Sequence, residues 1–139
     1  FQSLHPVVSP YRRRSEEAVA LFRQAIDGAA ALGARAIVWH GPTRNEAQAP
    51  AAWDAFLAAT VTLGRHCAEA GVTLAIENVS WCVLSSVRDV LAFAARIPEL
   101  GPPRAVGFTF DPFQAAEAGA NPFMLLAAME PALVNVHLS

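Results

Sequence analysis

The sequence predicts an α/β protein in which parallel strands alternate with helices and curve into a barrel. Short apolar runs rich in Val, Ile and Phe alternate with longer segments whose apolar residues recur at helical spacing. The strand-and-helix unit repeats at intervals of roughly 26 to 37 residues, a rhythm typical of parallel βαβ units. Its 139 residues are enough for one domain with a substantial core.

Four of the apolar runs end in a side chain that can bind a metal or transfer a proton. These strand-end residues are His40, Glu77, Asp111 and His137. Side chains alternate across a strand, so these residues share the inner face and bulky residues such as Val134 and Val136 take the outer face. We therefore expect the four polar side chains to meet at one end of the barrel, with helices covering the outside.

The first predicted helix runs from about Ser15 to Leu32. Ser15 is a suitable N-cap, Glu16 and Glu17 suit the first turn, and Gly33 can end the helix. Apolar residues at spacings of three and four predict its buried stripe, which comprises Ala18, Phe22, Ala25, Ala29 and Leu32.

The later helices are predicted from prolines, glycines and caps. Pro50 can open a second helix, and Gly71 ends that connection. The buried stripe of the second helix comprises Trp53, Phe56, Leu57, Thr60, Leu63, Gly64 and Cys67. Ser86 and Asp89 resemble a capping box for a third helix. Its apolar residues are Val87, Val90, Leu91, Ala94 and Ile97. Two short helices are predicted at 112–118 and from Asn121 to just before Pro131.

Composition excludes several classes of function. The net charge of −2 gives no general electrostatic reason to bind nucleic acid or an anionic membrane. All ten basic residues are arginine, so Schiff-base chemistry has no lysine to use. Cys67 and Cys82 lack CxxC spacing, and we interpret both as structural thiols in a reducing compartment. No apolar run reaches the ~20 residues of a membrane span, and a cytoplasmic location is expected.

Glu77, Asp111 and His137 are the predicted metal ligands. A divalent cation accepts carboxylate oxygen and imidazole nitrogen, and separations of 34 and 26 residues place one ligand on each successive strand. A bound cation would offset the cost of burying two carboxylates and could polarise a sugar carbonyl or hydroxyl. A carboxylate beside the cation could move a proton on the carbon between the carbonyl and the hydroxyl.

The chain resembles the xylose isomerase-like TIM-barrel superfamily, which includes sugar-phosphate isomerases and epimerases and the abasic-site endonucleases. Matching segments follow the order of the family and span nearly the whole chain. They are Leu4-His5-Pro6, Leu32-Gly33-Ala34 leading to His40-Gly41, Leu74-Ala75-Ile76-Glu77-Asn78, Phe110-Asp111 with Gln114 and Gly119, and Asn135-Val136-His137-Leu138-Ser139. The resemblance implies a partial (β/α)₈ barrel, with residues 1–139 as a fragment of one domain that holds about strands two to six.

The resemblance also implies roles for individual residues. The positions matched by Glu77, Asp111 and His137 are metal ligands in the family, and the Glu77 position also transfers protons. His5 and His40 match positions that line the pocket. Asn78 and Trp81 fall where the family shapes its substrate site. The implied cofactor is a divalent ion, one of Mn²⁺, Mg²⁺, Co²⁺ or Zn²⁺.

Two departures from the family pattern bear on function. Gln114 stands where the family usually has histidine, which counts against a multi-zinc nuclease site. The glutamate of the eighth strand has no counterpart, and we expect this piece alone to be inactive.

The function implied by the resemblance is a metal-dependent isomerase or epimerase acting on a small sugar or polyol through an enediolate. The alternatives are a dehydratase, an abasic-site nuclease and a non-catalytic ligand-binding barrel. The chain could also form a homo-oligomer, which would close the open edges of the barrel.

Overall fold

A computed structural model describes residues 6–49 and 51–138. Among these residues, four parallel strands form one sheet in the order β1-β2-β3-β4. The strands are β1 (Ala36–Trp39), β2 (Thr73–Glu77), β3 (Val106–Phe110) and β4 (Leu133–Val136). The α/β class and the partial parallel barrel are therefore confirmed. The strand expected at the N-terminus includes residues 1–5, which lie outside the described residues.

Helices connect successive strands. The helices are α1 (Arg12–Ala31), α2 (Ala52–Glu69), α3 (Val87–Ala94), α4 (Pro112–Glu117) and α5 (Pro122–Met129). Short 3₁₀ turns occupy Glu46–Gln48, Ile97–Glu99 and Glu130–Ala132. Gly33 and Gly71 follow the first two helices with φ angles of 74° and 73°, a left-handed conformation that glycine adopts without strain. No described helix has both the length and the hydropathy needed to cross a membrane.

The core lies between the outer face of the sheet and the helices. Trp39 is 4% exposed, and its ring lies 5.4 Å from that of Phe56 and 6.2 Å from that of Phe22. Phe93 stacks on Phe56 and also contacts Phe108 of β3. Trp39 thus faces the helices, and aromatic burial anchors the helices to β1 and β3.

The second helix follows its predicted pattern closely. Phe56, Leu57, Thr60, Leu63, Gly64 and Cys67 are all buried, and Trp53 is half-buried. Burial raises the pKa of the Cys67 thiol to about 12, as expected for a structural cysteine. Pro50, the predicted opening residue of this helix, lies outside the described residues.

The predicted start of the first helix is wrong. The helix begins at Arg12, three residues before Ser15, and Tyr11 occupies the N-cap position without a side-chain cap. The Ser15 hydroxyl donates to the carbonyl of Val7 instead of capping the helix, so it ties the preceding loop to the first turn. Because the helix starts earlier, Glu16 falls beyond the first turn.

Two predicted core positions are also wrong. Leu32 is 89% exposed, because the helix has already ended and Ile26 completes the buried stripe. Leu91 is 52% exposed, and Phe93 takes the buried place. Ile97 packs against the core as predicted, but it lies in a 3₁₀ turn beyond the third helix.

The outer face of β4 also departs from expectation. Val134 and Val136 are 41% and 48% exposed, whereas we expected helices to cover them. A register shift between Phe108 and Thr109 interrupts the alternation along β4, and Leu133, paired with Phe108, packs against the core instead.

Candidate active site

A cavity of about 470 Å³ opens at the carboxyl ends of the strands. Its lining combines titratable, polar and apolar side chains, namely His40, Glu77, Val79, Trp81, Asp111, Gln114, His137 and Leu138. The parallel register brings these residues together, because the carboxyl ends of all four strands lie at the same edge of the sheet. The predicted convergence of the four strand-end residues is confirmed.

Glu77 lies at the centre of this group and is only 5% exposed. Nδ1 of His137 lies 2.9 Å from Oε1 of Glu77, and Nε2 of His40 lies 3.3 Å from Oε2 of Glu77. Burial acts to raise the pKa of Glu77, but the hydrogen bonds and charges of the two imidazoles together lower it below its ordinary value. Glu77 is therefore ionised at neutral pH.

His40 presents its two ring nitrogens to different surroundings. Nε2 faces the Glu77 carboxylate, whereas Nδ1 is buried and has no hydrogen-bond partner among the described residues. A carboxylate can only accept, so these contacts favour the tautomer with its proton on Nε2. His40 thus holds one of the two Glu77 oxygens.

Asp111 is 2% exposed and follows β3 directly. Its Oδ1 accepts the backbone N–H of Gln114 at 2.9 Å, so the carboxylate also caps α4. This cap fixes the direction in which the side chain leaves the strand.

The donor set fits a divalent cation. One ligand atom from each of Glu77, Asp111 and His137 lies within 4.8 Å of the other two. Two carboxylates and one imidazole are the ligands that hard and borderline divalent ions accept. Two buried carboxylates so close together repel each other, and a cation between them would relieve that repulsion.

Trp81 forms an aromatic wall of the cavity. Its side chain is 46% exposed, and its ring meets that of His40 edge-on at a centroid distance of 5.9 Å. The backbone of Trp81 is held because its carbonyl accepts the N–H of Arg44 at 3.0 Å. The ring is therefore positioned while much of it stays accessible.

Gln114 lines the cavity from the first turn of α4. Its Oε1 accepts the backbone N–H of Ser80 at 2.9 Å, which assigns the two ends of the amide. The carbonyl end is bound to the loop after β2, and the NH₂ end is the one that can donate to a ligand.

Asn78 is not brought to the cavity. Its side chain is 1% exposed, and both ends of its amide bond to the backbone of Asp111. His5 lies outside the described residues.

Sequence reasoning missed Ser80, Val79 and Leu138. Ser80 donates from its backbone to Gln114 and from its hydroxyl to Glu117 at 3.1 Å. Val79 and Leu138 contribute apolar walls. The signal available in the sequence was their position just beyond the strand ends, beside Glu77 and His137.

A family model described as "Xylose isomerase-like TIM barrel" matches residues 2–139. The chain belongs to the xylose isomerase-like TIM-barrel family. This match confirms the resemblance found in the sequence. A comparison with curated proteins finds no match.

Solved structures share the fold of this family member. A D-tagatose 3-epimerase-like protein superimposes with a TM-score of 0.79 at 20% identity, over 99% of this chain and 52% of that one. The probable 3-DHS dehydratase AsbF of Bacillus anthracis superimposes with a TM-score of 0.79 at 11% identity, over 96% of this chain and 47% of that one. D-allulose 3-epimerase of Methylomonas sp., solved in complex with D-allulose, superimposes with a TM-score of 0.77 at 18% identity, over 99% of this chain and 49% of that one. The chain thus spans about half the length of the structures it matches.

Proposed function

We propose that the protein is a metal-dependent isomerase or epimerase acting on a small sugar or related polyol. The observation that carries the proposal is the meeting of Glu77, Asp111 and His137 within 4.8 Å at the base of an open cavity. Because the chain spans about half of the structures it resembles, the activity is proposed for the whole protein.

Glu77, Asp111 and His137 would hold the cation, one of Mn²⁺, Mg²⁺, Co²⁺ or Zn²⁺. The cation would polarise a carbonyl and a neighbouring hydroxyl and so make the intervening C–H more acidic. The lowered pKa of Glu77 supports this role, because an ionised carboxylate attracts a cation at neutral pH.

Glu77 is also the proposed base. It would take the proton from the carbon next to the carbonyl, leaving an enediolate. Return of the proton to the neighbouring carbon would complete an isomerisation. An epimerisation would need a second acid to protonate the opposite face of the same carbon, the role that the eighth-strand glutamate of the family would fill in the whole protein. His40 contacts Oε2 of Glu77 and would restrict the directions in which the carboxylate can turn. The two imidazoles keep Glu77 ionised and thus ready to accept a proton.

The walls of the cavity support a sugar or polyol as substrate. The exposed ring of Trp81 can pack against the C–H face of a sugar, while the Gln114 amide can donate to a hydroxyl or carbonyl oxygen. Structures of similar fold include enzymes described as L-ribulose 3-epimerase and D-allulose 3-epimerase, the latter with D-allulose bound. His5, which matches a pocket position of the family, would complete this lining.

The decisive experiment follows proton exchange at carbon. The whole protein is incubated with Mn²⁺ or Co²⁺ and a panel of ketoses in D₂O, and the products are followed by NMR. We expect deuterium to enter next to the carbonyl and an epimer or aldose to accumulate. Glu77→Gln should abolish both signals, and His137→Ala should raise the metal concentration needed. Asp54→Asn, which removes an exposed carboxylate on α2, is the matched control and should behave as wild type.

Other outcomes identify other reactions. A dehydratase is the second candidate, because AsbF superimposes as well as the epimerase-like protein does. It would begin with the same proton abstraction but yield an unsaturated carbonyl that absorbs in the ultraviolet. Binding of two or three zinc ions with cleavage of abasic DNA would favour the nuclease instead. A folded protein that binds no divalent ion would contradict the proposed mechanism.

A further inference from the structure

We infer that Asn78 is a positioning residue that fixes the spacing of the Glu77 and Asp111 carboxylates; the inference rests on the proposed metal site. The amide of Asn78 bonds to both the N–H and the C=O of Asp111. Asn78 is 1% exposed and does not line the cavity, so it acts through its neighbours and not on a ligand.

The side chain of Asn78 continues the pairing of two strands past the point where their backbones separate. Backbone pairing of β2 with β3 ends at Glu77 and Thr109. Asn78 Oδ1 then accepts the Asp111 N–H at 2.7 Å, and its Nδ2 donates to the Asp111 carbonyl at 2.8 Å. A carboxamide has the same donor and acceptor as a peptide group, so it can replace one rung of the ladder.

This pairing joins the two segments that carry the carboxylates. Glu77 precedes Asn78 in the chain, and Asp111 is the residue that Asn78 holds. Asp111 is also held from the other side, since its Oδ1 accepts the Gln114 N–H. Its backbone and its side chain are thus fixed by separate partners, and the separation of the two carboxylates depends on both.

Ser80 extends the same connection. Its backbone N–H and its hydroxyl donate to Gln114 and Glu117, so residues 78–80 bind the segment from Asp111 to the end of α4 at three points. Without Asn78, the two hydrogen bonds to Asp111 are lost, whereas the Ser80 hydrogen bonds to Gln114 and Glu117 remain. Loss of Asn78 should therefore loosen the site without releasing the helix.

The chemistry of asparagine explains why this residue type is needed. Aspartate would lose the donor to the Asp111 carbonyl and would add a third carboxylate to the site. Leucine fills a similar volume but offers neither hydrogen bond. Asn78→Leu therefore separates the effect of the two hydrogen bonds from that of packing, and Asn78→Ala removes the same bonds without added branching.

The test is titration of the whole protein with Co²⁺, measured by calorimetry. We expect Asn78→Leu and Asn78→Ala to weaken Co²⁺ binding by about 10- to 100-fold, as is common when a partner of a metal ligand is removed. Leu63→Ala, a fully buried substitution on α2, serves as a control for general destabilisation and should keep the wild-type affinity. Wild-type affinity in both Asn78 variants, or an equal loss in Leu63→Ala, would overturn the inference.

A second measurement keeps the inference testable if the wild-type whole protein binds no Co²⁺, which would refute the proposed function. Hydrogen exchange of the metal-free chain reports the Asp111 and Gln114 amides, which donate to Asn78 and Asp111. Both amides should exchange at least ~10-fold faster in the Asn78 variants than in Leu63→Ala. Unchanged exchange would show that Asn78 does not hold Asp111.

Discussion

Glu77 combines burial with two imidazole contacts, and its properties follow from that balance. Removing a carboxylate from water is unfavourable, but each of its oxygens faces one histidine ring. The two imidazoles outweigh burial, so the pKa of Glu77 lies below its ordinary value. A buried, ionised carboxylate interacts strongly with charge because little water screens it. Both roles proposed for Glu77, as ligand and as base, depend on that ionised state.

The lowered pKa of Glu77 predicts how stability changes in acid. The carboxyl group binds a proton more readily in the unfolded chain than in the folded one, so its contribution is complete above its ordinary pKa of 4.5 and is lost as the pH falls through the folded value. We expect the free energy of unfolding to fall more steeply below pH 4.5 in the wild type than in Glu77→Gln. Urea denaturation of the metal-free chain at a series of pH values measures both slopes.

Asp54→Asn provides the reference for that comparison, because it removes an exposed carboxylate. Parallel pH profiles for the wild type and Glu77→Gln would contradict the prediction. A profile for Asp54→Asn that resembles Glu77→Gln would assign the effect to net charge and not to the imidazole contacts.

At the scale of a structural element, Asp111 ends β3 and caps α4. Asp111→Asn keeps an oxygen for the Gln114 N–H but loses the charge. Because Asn and Asp are similar N-caps, we expect its stability to stay within about 0.5 kcal/mol of wild type. The free energy of unfolding of Asp111→Ala should be about 1 kcal/mol lower than that of Asp111→Asn, because alanine removes the cap. Co²⁺ binding should weaken at least ~10-fold in both variants.

Urea denaturation and Co²⁺ titration of the two Asp111 variants separate the two functions. Equal stability of Asp111→Asn and Asp111→Ala would show that the cap contributes little. Retention of wild-type Co²⁺ affinity by Asp111→Asn would remove Asp111 from the set of metal ligands.

Gly107 lets β4 lie close against β3. A Cβ atom at this position would fall on the side chain of Val134 and would lie 2.6 Å from the carbonyl oxygen of Ala132. The backbone of Ala132 has to move to make room, so we expect Gly107→Ala to destabilise the fold by about 1–3 kcal/mol. Because His137 follows β4, Co²⁺ binding should weaken as well.

Gly28→Ala is the matched control for that substitution. A Cβ atom at Gly28 meets nothing within 4 Å, and the residue lies inside α1. Alanine there should stabilise the helix by up to about 1 kcal/mol and leave Co²⁺ binding unchanged. Equal effects of the two substitutions on unfolding would refute the proposed close contact at Gly107.

For the whole molecule, the repeating pattern of strand and helix was enough to predict the fold class. Strand ends at Glu77, Asp111 and His137 could be predicted because each apolar run stops at a polar side chain, and parallel pairing places such ends together. The start of α1 could not be predicted in the same way, because the Ser15 hydroxyl bonds to the carbonyl of Val7, eight residues away. A capping pattern describes local preference, and a tertiary contact replaced it here.

The supporting contacts of the site were also beyond sequence reasoning. Asn78 bonds to Asp111 across 33 residues, and Ser80 bonds to Gln114 across 34. Such contacts depend on the register of β2 against β3, which a hydrophobic pattern does not specify to the residue. The polar residues that meet at the strand ends could therefore be predicted, whereas the residues that orient them required the structure.

Among the described residues, β4 is an edge strand of the sheet, and this predicts how the isolated chain behaves in solution. Val134 and Val136 of β4 are half-exposed, and no other described strand pairs with its outer edge. An uncovered edge with apolar side chains favours pairing with another chain. We expect the weight-average mass in sedimentation velocity to rise with concentration. Val136→Lys should keep the chain at monomer mass, because it places a charge on that edge.

Leu32→Lys is the control for this prediction. It changes an equally apolar but isolated exposed position after α1, and the variant should associate as the wild type does. A wild-type chain that stays monomeric, or an equal effect of Leu32→Lys, would show that the edge of β4 is not the surface through which copies meet.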